Sequence, residues 1–215
     1  MPDPWTVIDH SLAQHKLTNL RDRSTDANRF QRIMHQIGLL LCSEMTRDLE
    51  LRDQSITTEN AGAAIGKRLD QAQMVILPIL RSGLPLQEAF KELIPGAAVG
   101  HVGIYRDKKN KHHCYMLSLP KIDNAIYFVL DPIITQGLTQ SMAVDYLITA
   151  GINPSNIRLG CVAASRQGLE KIYSLERRSR IKIFTFCDED MIDSDKLRLV
   201  PGLGNVGSRL FGTEG

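Results

Sequence analysis

The stretch Ile126-Tyr127-Phe128-Val129-Leu130-Asp131-Pro132-Ile133-Ile134-Thr135-Gln136-Gly137-Leu138-Thr139 decides how the rest of the chain is read. The apolar run from Ile126 to Leu130 does not alternate with polar residues, which suits a strand covered on both faces, as in a parallel sheet. Thr139 to Ala150 then reads as an amphipathic helix, so the loop between lies at the carboxyl end of a strand and opens a helix. In open α/β sheets that edge is where ligands bind, and the unpaired N–H groups of a helix N-terminus favour anions. Asp131 is placed to meet ribose hydroxyls or a metal. Thr135, Thr139 and Ser141 offer hydroxyls, and Gly137 lets backbone approach a phosphate closely. An ordinary βα turn with Thr139 as N-cap accounts for the same residues equally well.

Working outward, strands are expected near Met74–Leu80, Ala98–Tyr105, Cys114–Leu119, Ile157–Ala164 and Ile181–Phe186, with helices near Leu84–Leu93 and Gly168–Leu175. This alternation argues an α/β chain with a mostly parallel, doubly wound sheet. The first third differs. Phe30, Ile33, Met34, Ile37, Leu40 and Leu41 recur at helical spacing between Asn28 and Asp48, and Thr58–Leu69, with Ala61, Ala63 and Ala64, suggests a further helix. The expected organisation is one domain over 1–215, divided into a helical arm (1–70), an α/β core (71–190) and a C-terminal hood loop (191–215).

The chain has 215 residues, of which 43% are hydrophobic and 23% charged, enough for one well-buried core. A formal net charge of +2 with acids and bases intermixed points to no nucleic-acid or membrane partner. Cys42, Cys114, Cys161 and Cys187 are widely spaced without CxxC pairs, as expected of reduced thiols. No apolar leader or membrane-length run is evident, so a cytoplasmic protein is expected.

Other segments carry candidate chemistry. Pro78-Ile79-Leu80-Arg81-Ser82-Gly83 puts an arginine just past a strand, on the same edge as Asp131, where a guanidinium can make paired hydrogen bonds to phosphate. Arg106 ends a second strand, with Asp107 or solvent as its alternative partners. Lys108, Lys109, Lys111, His112 and His113 form a basic loop whose spacing does not suggest a metal site. Leu199-Val200-Pro201-Gly202-Leu203-Gly204-Asn205-Val206-Gly207-Ser208-Arg209 leaves little room for side chains, so its backbone can face a planar ligand; a plain tail turn has similar glycine content.

Taken together, these segments resemble the uracil phosphoribosyltransferase family over essentially the full length. Gln14-His15-Lys16-Leu17, Leu20-Arg21, Glu44-Met45-Thr46-Arg47-Asp48-Leu49, Pro78 to Leu84, Val99 to Asp107, Asp131-Pro132, Pro201-Gly202-Leu203-Gly204 and Arg209-Leu210-Phe211-Gly212-Thr213 carry the resemblance. It implies a type I phosphoribosyltransferase fold, homodimers or higher homo-oligomers, and conversion of uracil and phosphoribosyl pyrophosphate to UMP and pyrophosphate with magnesium, in pyrimidine salvage. It also implies that Arg81 and Arg106 contact the donor, with Asp131 as the third catalytic residue. Asp131, Pro132, Ile133, Ile134, Thr135, Gln136, Gly137, Leu138 and Thr139 would hold the ribose 5-phosphate. Leu199, Gly204 and Val206 would read uracil through main-chain groups, and Asn205 would contact both uracil and the donor. A flexible arm matching Asp107–Tyr115 is implied, no protein residue is assigned as a metal ligand, and GTP activates some members.

Two loops depart from the family's pattern. Its members usually carry Ala-Thr-Gly-Gly-(Ser or Thr) where this chain has Thr135-Gln136-Gly137-Leu138-Thr139, and Gly-Asp-x-Gly-Asp where Asn205 and Ser208 replace both acids. Leucine at a left-handed position would cost roughly 1–2 kcal/mol, and loss of the acid would weaken metal engagement. The expectation is a uracil phosphoribosyltransferase with reduced activity. The alternative is a catalytically lapsed relative acting as a ligand-binding or regulatory module.

Overall fold

In the computed structural model, which describes residues 4–60, 62–107, 109–193 and 198–212, the chain opens with β1 (Thr6–Val7), α1 (Ser11–Arg21) and α2 (Ala27–Thr46). A hairpin of β2 (Arg52–Thr58) and β3 (Gly62–Arg68) follows. Then come β4 (Met74–Leu80), α3 (Leu84–Leu93), β5 (Ala98–Val99), β6 (His101–Arg106), β7 (His112–Ser118) and β8 (Ile126–Leu130). The second half contains β9 (Ile133–Ile134), α4 (Leu138–Thr149), β10 (Ile157–Gly160), β11 (Ala163–Ser165), α5 (Arg166–Tyr173) and β12 (Lys182–Thr185). It ends with β13 (Asp188–Glu189), β14 (Met191–Asp193), β15 (Arg198–Val200) and α6 (Val206–Phe211). Ala61, Lys108 and Thr213, named above, lie outside the described residues, as do 194–197. No helix among the described residues is long and apolar enough to cross a membrane.

The expected mixed α/β architecture is observed. The main sheet has the order β1-β12-β10-β8-β4-β6-β7, with β5 beside β4. All its pairings are parallel except β6 with β7. From β4 the chain moves outward to β6 and β7, then returns across β4 to lay β8 on the other side. The strand order therefore reverses between β4 and β8, and a crevice opens there beyond the carboxyl ends, where such sheets place ligands. Arg81 follows β4 and Asp131 follows β8.

The unbroken apolar strands are explained by cover on both sides. Tyr127 and Val129 of β8 join Val75, Leu77 and Ile79 of β4 in a core under α4 and α5, which supply Ala143, Val144, Leu147, Leu169 and Ile172. Phe128, Leu130 and Ile76 face the opposite core, built by α1, α2, α3 and α6. Phe128 meets Phe90 there with ring centroids 5.4 Å apart, within the favourable range for tilted aromatic pairs. Helix α2 appears where periodicity places it, and Asp26 N-caps it by accepting from the Arg29 N–H. Helix α1 is an addition to the expected elements, with Ala13, Leu17 and Leu20 recurring at helical spacing and buried.

The helix expected over Thr58–Leu69 is instead the β2–β3 hairpin, paired in register from Arg52↔Arg68 to Thr58↔Gly62. Ile56, Thr57 and Thr58 are β-branched, and Gly62 sits at the turn with φ +68, which the alanine content masked. The basic loop after β6 is likewise a hairpin tip, and β7 begins at His112 rather than Cys114. The Asp107 carboxylate organises this tip by accepting from the N–H groups of Lys109 and Lys111 and from the His113 ring. Asp107 is thereby committed to the tip, and Arg106 does not pair with it.

The α4–α5 face carries a buried ion pair. Arg178, 5% exposed, makes two hydrogen bonds to Asp145 of 2.9 and 2.6 Å and a third to the Ser141 hydroxyl at 3.1 Å. Breaking such a pair strands one charge in low dielectric. Arg178→Ala should cost about 3 kcal/mol, near the low end for buried pairs because Asp145 keeps Arg177 and some solvent. The unfolding midpoint in urea, compared with the parent protein, measures this.

Candidate functional site

Beyond the ends of β4 and β8 lies a cleft of about 450 Å³. It gathers Arg81, Arg106, Asp131, Ile133, Thr135, Gln136, Gly137, Leu138, Thr139, Gly204, Asn205 and Val206. Four segments far apart in sequence thus bring most of the expected site residues together. Three stand behind the surface: Pro132 and Ile134 are buried, and so is Leu199. The cleft also contains Ser82, His112 and Phe211, to which sequence reasoning assigned no role in the site, and Gln140 and Arg198, which it did not single out.

The loop after β8 is held against its neighbour. The Pro132 carbonyl accepts from the N–H groups of Val162 and Ala163, and β9 pairs with β11 through Ile133↔Ala163 and Ile134↔Ala164. Ser165 Oγ donates to the Thr135 carbonyl and accepts from the Gly168 N–H. Gly137 is left-handed at φ +71, and a Cβ there would lie 2.3 Å from the Gly168 carbonyl oxygen. Backbone conformation and contact with α5 therefore both require glycine here.

Leu138 is the first residue of α4, is 38% exposed, and is not among the positive-φ residues. The strain expected of leucine in a left-handed position does not arise, because Gly137 occupies that position. The consequence of Leu138 is steric alone: its side chain is on the cleft wall. Gly137 gives α4 no side-chain cap, so the first-turn N–H groups keep the capacity to bind an anion.

Arg81 and Arg106 are exposed at the cleft and make no ion pair with the described residues. The Arg81 guanidinium lies 5.1 Å from the centre of the Phe211 ring, and the Leu80–Arg81 peptide is cis. Arg198 adds a third guanidinium from β15. Burial, then the charge of Arg106, holds His112 below its ordinary pKa.

Asp131 is 5% exposed. Its Oδ1 accepts from Ser82 Oγ at 3.0 Å and its Oδ2 from Gln140 Nε2 at 2.7 Å. Burial nevertheless dominates and raises its pKa to about 7, against the lowering by these donors and the Ile133 N–H.

The C-terminal loop contains the short helix α6 instead of irregular chain throughout. Asn205 caps it, with Oδ1 accepting from the Ser208 N–H at 3.2 Å. The amide is thus engaged within its own loop. Arg209 ties that loop to the start of the chain: it donates to the carbonyls of Leu20, Asp22 and Thr25 and stacks 4.1 Å above Phe30.

These donors do not make a protein-held magnesium site. Both Asp131 oxygens are taken by hydrogen-bond donors, Asn205 and Ser208 are neutral, and no group of three potential metal-ligating His, Cys, Asp or Glu residues occurs among the described residues.

A family model described as Uracil phosphoribosyltransferase matches residues 7–213. A uracil phosphoribosyltransferase of Enterococcus faecalis is 38% identical over 212 residues, covering 98% of this chain and 99% of that protein. One from Staphylococcus carnosus is 37% identical, with 97% and 98% covered. Among solved structures, the AQ2163 protein from Aquifex aeolicus superposes with a TM-score of 0.89 at 27% identity, over 97% of this chain and 98% of that one.

The raised pKa of Asp131 has a consequence for stability. Between about pH 4 and pH 7 the folded state holds a proton that the unfolded state has released, so this group's contribution to stability declines as pH rises through that window. Above pH 7 Asp131→Asn should stabilise the fold, by up to about 4 kcal/mol if the full shift is realised. The difference should vanish near pH 4, as checked by denaturant unfolding at both pH values.

Proposed function

We infer, for a chain that belongs to the uracil phosphoribosyltransferase family, that this cleft joins uracil to the ribosyl group of phosphoribosyl pyrophosphate. The carrying observation is the convergence of Arg81, Arg106, Asp131, the α4 N-terminus and the Gly204–Val206 loop at the point where the strand order reverses. The enzyme is a phosphoribosyltransferase making UMP, and the roles of individual residues below are our assignment.

As uracil N1 bonds to the anomeric carbon, the bond to pyrophosphate breaks and the N1 proton is lost. Positive charge develops on the ribose and negative charge on the leaving group. Arg81 and Arg106 bring fixed positive charge to that leaving group, where positioned charge is most effective. The first-turn N–H groups of α4, with Thr135 and Thr139, hold the 5-phosphate. Asp131 accepts from a ribose hydroxyl. Main-chain groups of Leu199, Gly204 and Val206 read the base edge, and a wrong base leaves buried polar groups unpaired. Magnesium, where used, would be carried by the donor's own oxygens. A homo-oligomer belongs to the same reading and would sediment above 24.0 kDa.

Two side chains reduce activity in this reading: Leu138 on the phosphate wall and the uncharged Asn205. Purified protein with uracil, magnesium and phosphoribosyl pyrophosphate should form UMP; its absence at high protein concentration overturns the reading in favour of a ligand-binding module. Leu138→Gly combined with Asn205→Asp should lower the donor KM by about tenfold, as expected for relief worth roughly 1.4 kcal/mol. Asp caps a helix as well as Asn, so the second change leaves α6 intact. An unchanged KM would remove both residues as the cause.

A further inference from the structure

The floor of the cleft holds an arrangement that the reaction above does not require. Ser82, in the turn after β4, and Gln140, in the first turn of α4, approach the Asp131 carboxylate and each takes one oxygen. Gln140 is 3% exposed, and its Nε2 also donates to the Ile133 carbonyl at 3.2 Å. Both contacts of that nitrogen are acceptors, so the reversed amide would place oxygen against oxygen.

We propose that Ser82 and Gln140 form a clamp in which Gln140 is a positioning residue for Asp131. The Gln140 nitrogen can only donate, so it holds Oδ2 as a permanent acceptor. Ser82 can donate or accept, so the proton that comes and goes on Asp131 resides on Oδ1. A carboxylate has about four acceptor positions, and Ser82, Gln140 and the Ile133 N–H use three. Room remains for one further donor, which fits a single ribose hydroxyl. Gln140 and the phosphate-facing N–H groups share one helical turn, so the clamp also fixes the spacing between the ribose and phosphate subsites. The substrate side of the proposal rests on the reading in the preceding subsection; the clamp does not.

The charged and titratable groups around Asp131 are few. Arg81 comes from the β4 turn, Arg106 and His112 from the β6–β7 hairpin, and Arg198 from β15. Cys161 follows β10 and is held protonated by burial. The side chains that donate to the carboxylate are Ser82 and Gln140 and none of these, which leaves the clamp as its side-chain control.

The test is a carboxyl titration of the full chain carrying 13C-labelled aspartate, with Asp131→Asn identifying the resonance. Gln140→Met keeps the volume and removes the donor. It should move the Asp131 midpoint upward by about one to two pH units, the effect of losing a hydrogen bond to a charged group. Ser82→Ala should move it in the same direction and reads the clamp independently if Gln140→Met does not fold. Midpoints equal to or below that of the parent in both variants overturn the clamp. In the UMP assay, the acid limb of kcat/KM for the donor should rise with the midpoint in Gln140→Met, whereas loss of mere structural support would lower the rate equally at every pH. A midpoint that shifts in a protein making no UMP supports the clamp and overturns only the assigned reaction.

Discussion

Two glycine backbones meet behind the α4 side of the cleft, and the geometry of the site depends on their contact. Gly137 turns left-handed to start α4, while Gly168 lies in the first turn of α5, and a Cβ on either would run into the other segment's carbonyl oxygen at 2.3 or 2.1 Å. With no side chain between them, the two helix starts pack at backbone distance. Ser165 reinforces the contact from between, donating to Thr135 and accepting from Gly168. The Asp131–Thr139 loop is therefore shaped by the neighbouring crossover as much as by its own residues. Without that packing, the α4 N–H groups would have no fixed direction relative to Arg81 and Asp131.

Charge in the cleft is uneven. Arg81, Arg106 and Arg198 line it opposite one acid, Asp131, whose burial disfavours its charged form. An anionic, phosphate-rich ligand is attracted, while the acid is kept from repelling it. The cost is borne by the fold, since an ionised carboxylate at that depth is destabilising even with its donors in place.

Much of the architecture could be read from the chain because periodicity and punctuation were unambiguous. The strands at Met74–Leu80 and Ile126–Leu130 and the helix at Leu84–Leu93 stand where apolar runs and turn residues put them. The hairpin at Arg52–Arg68 was misread because alanine content outweighed glycines at 62 and 66, and α6 was hidden by the glycine-rich sequence before it. Most of the cleft's residues were named in advance because they sit at strand ends. The Ser82–Asp131–Gln140 arrangement was not, because its members are 49 and 9 residues apart and come together only through the return of the chain across β4. Arg198 was missed for a similar reason, since an arginine on a short strand gives no local sign of facing a cleft.

The bonds from Arg209 have a bearing on the order of events during synthesis. A helix's last carbonyls have no partner within the helix, and the Leu20 carbonyl at the end of α1 finds one in Arg209, 189 residues later. Helix α1 gains this bond only after the chain as far as Arg209 has been made. The loop assigned to the base is likewise unsupported until it meets carbonyls from the opposite terminus. The α1 end and the α6 loop therefore gain this bracing together, and only once Arg209 is in place.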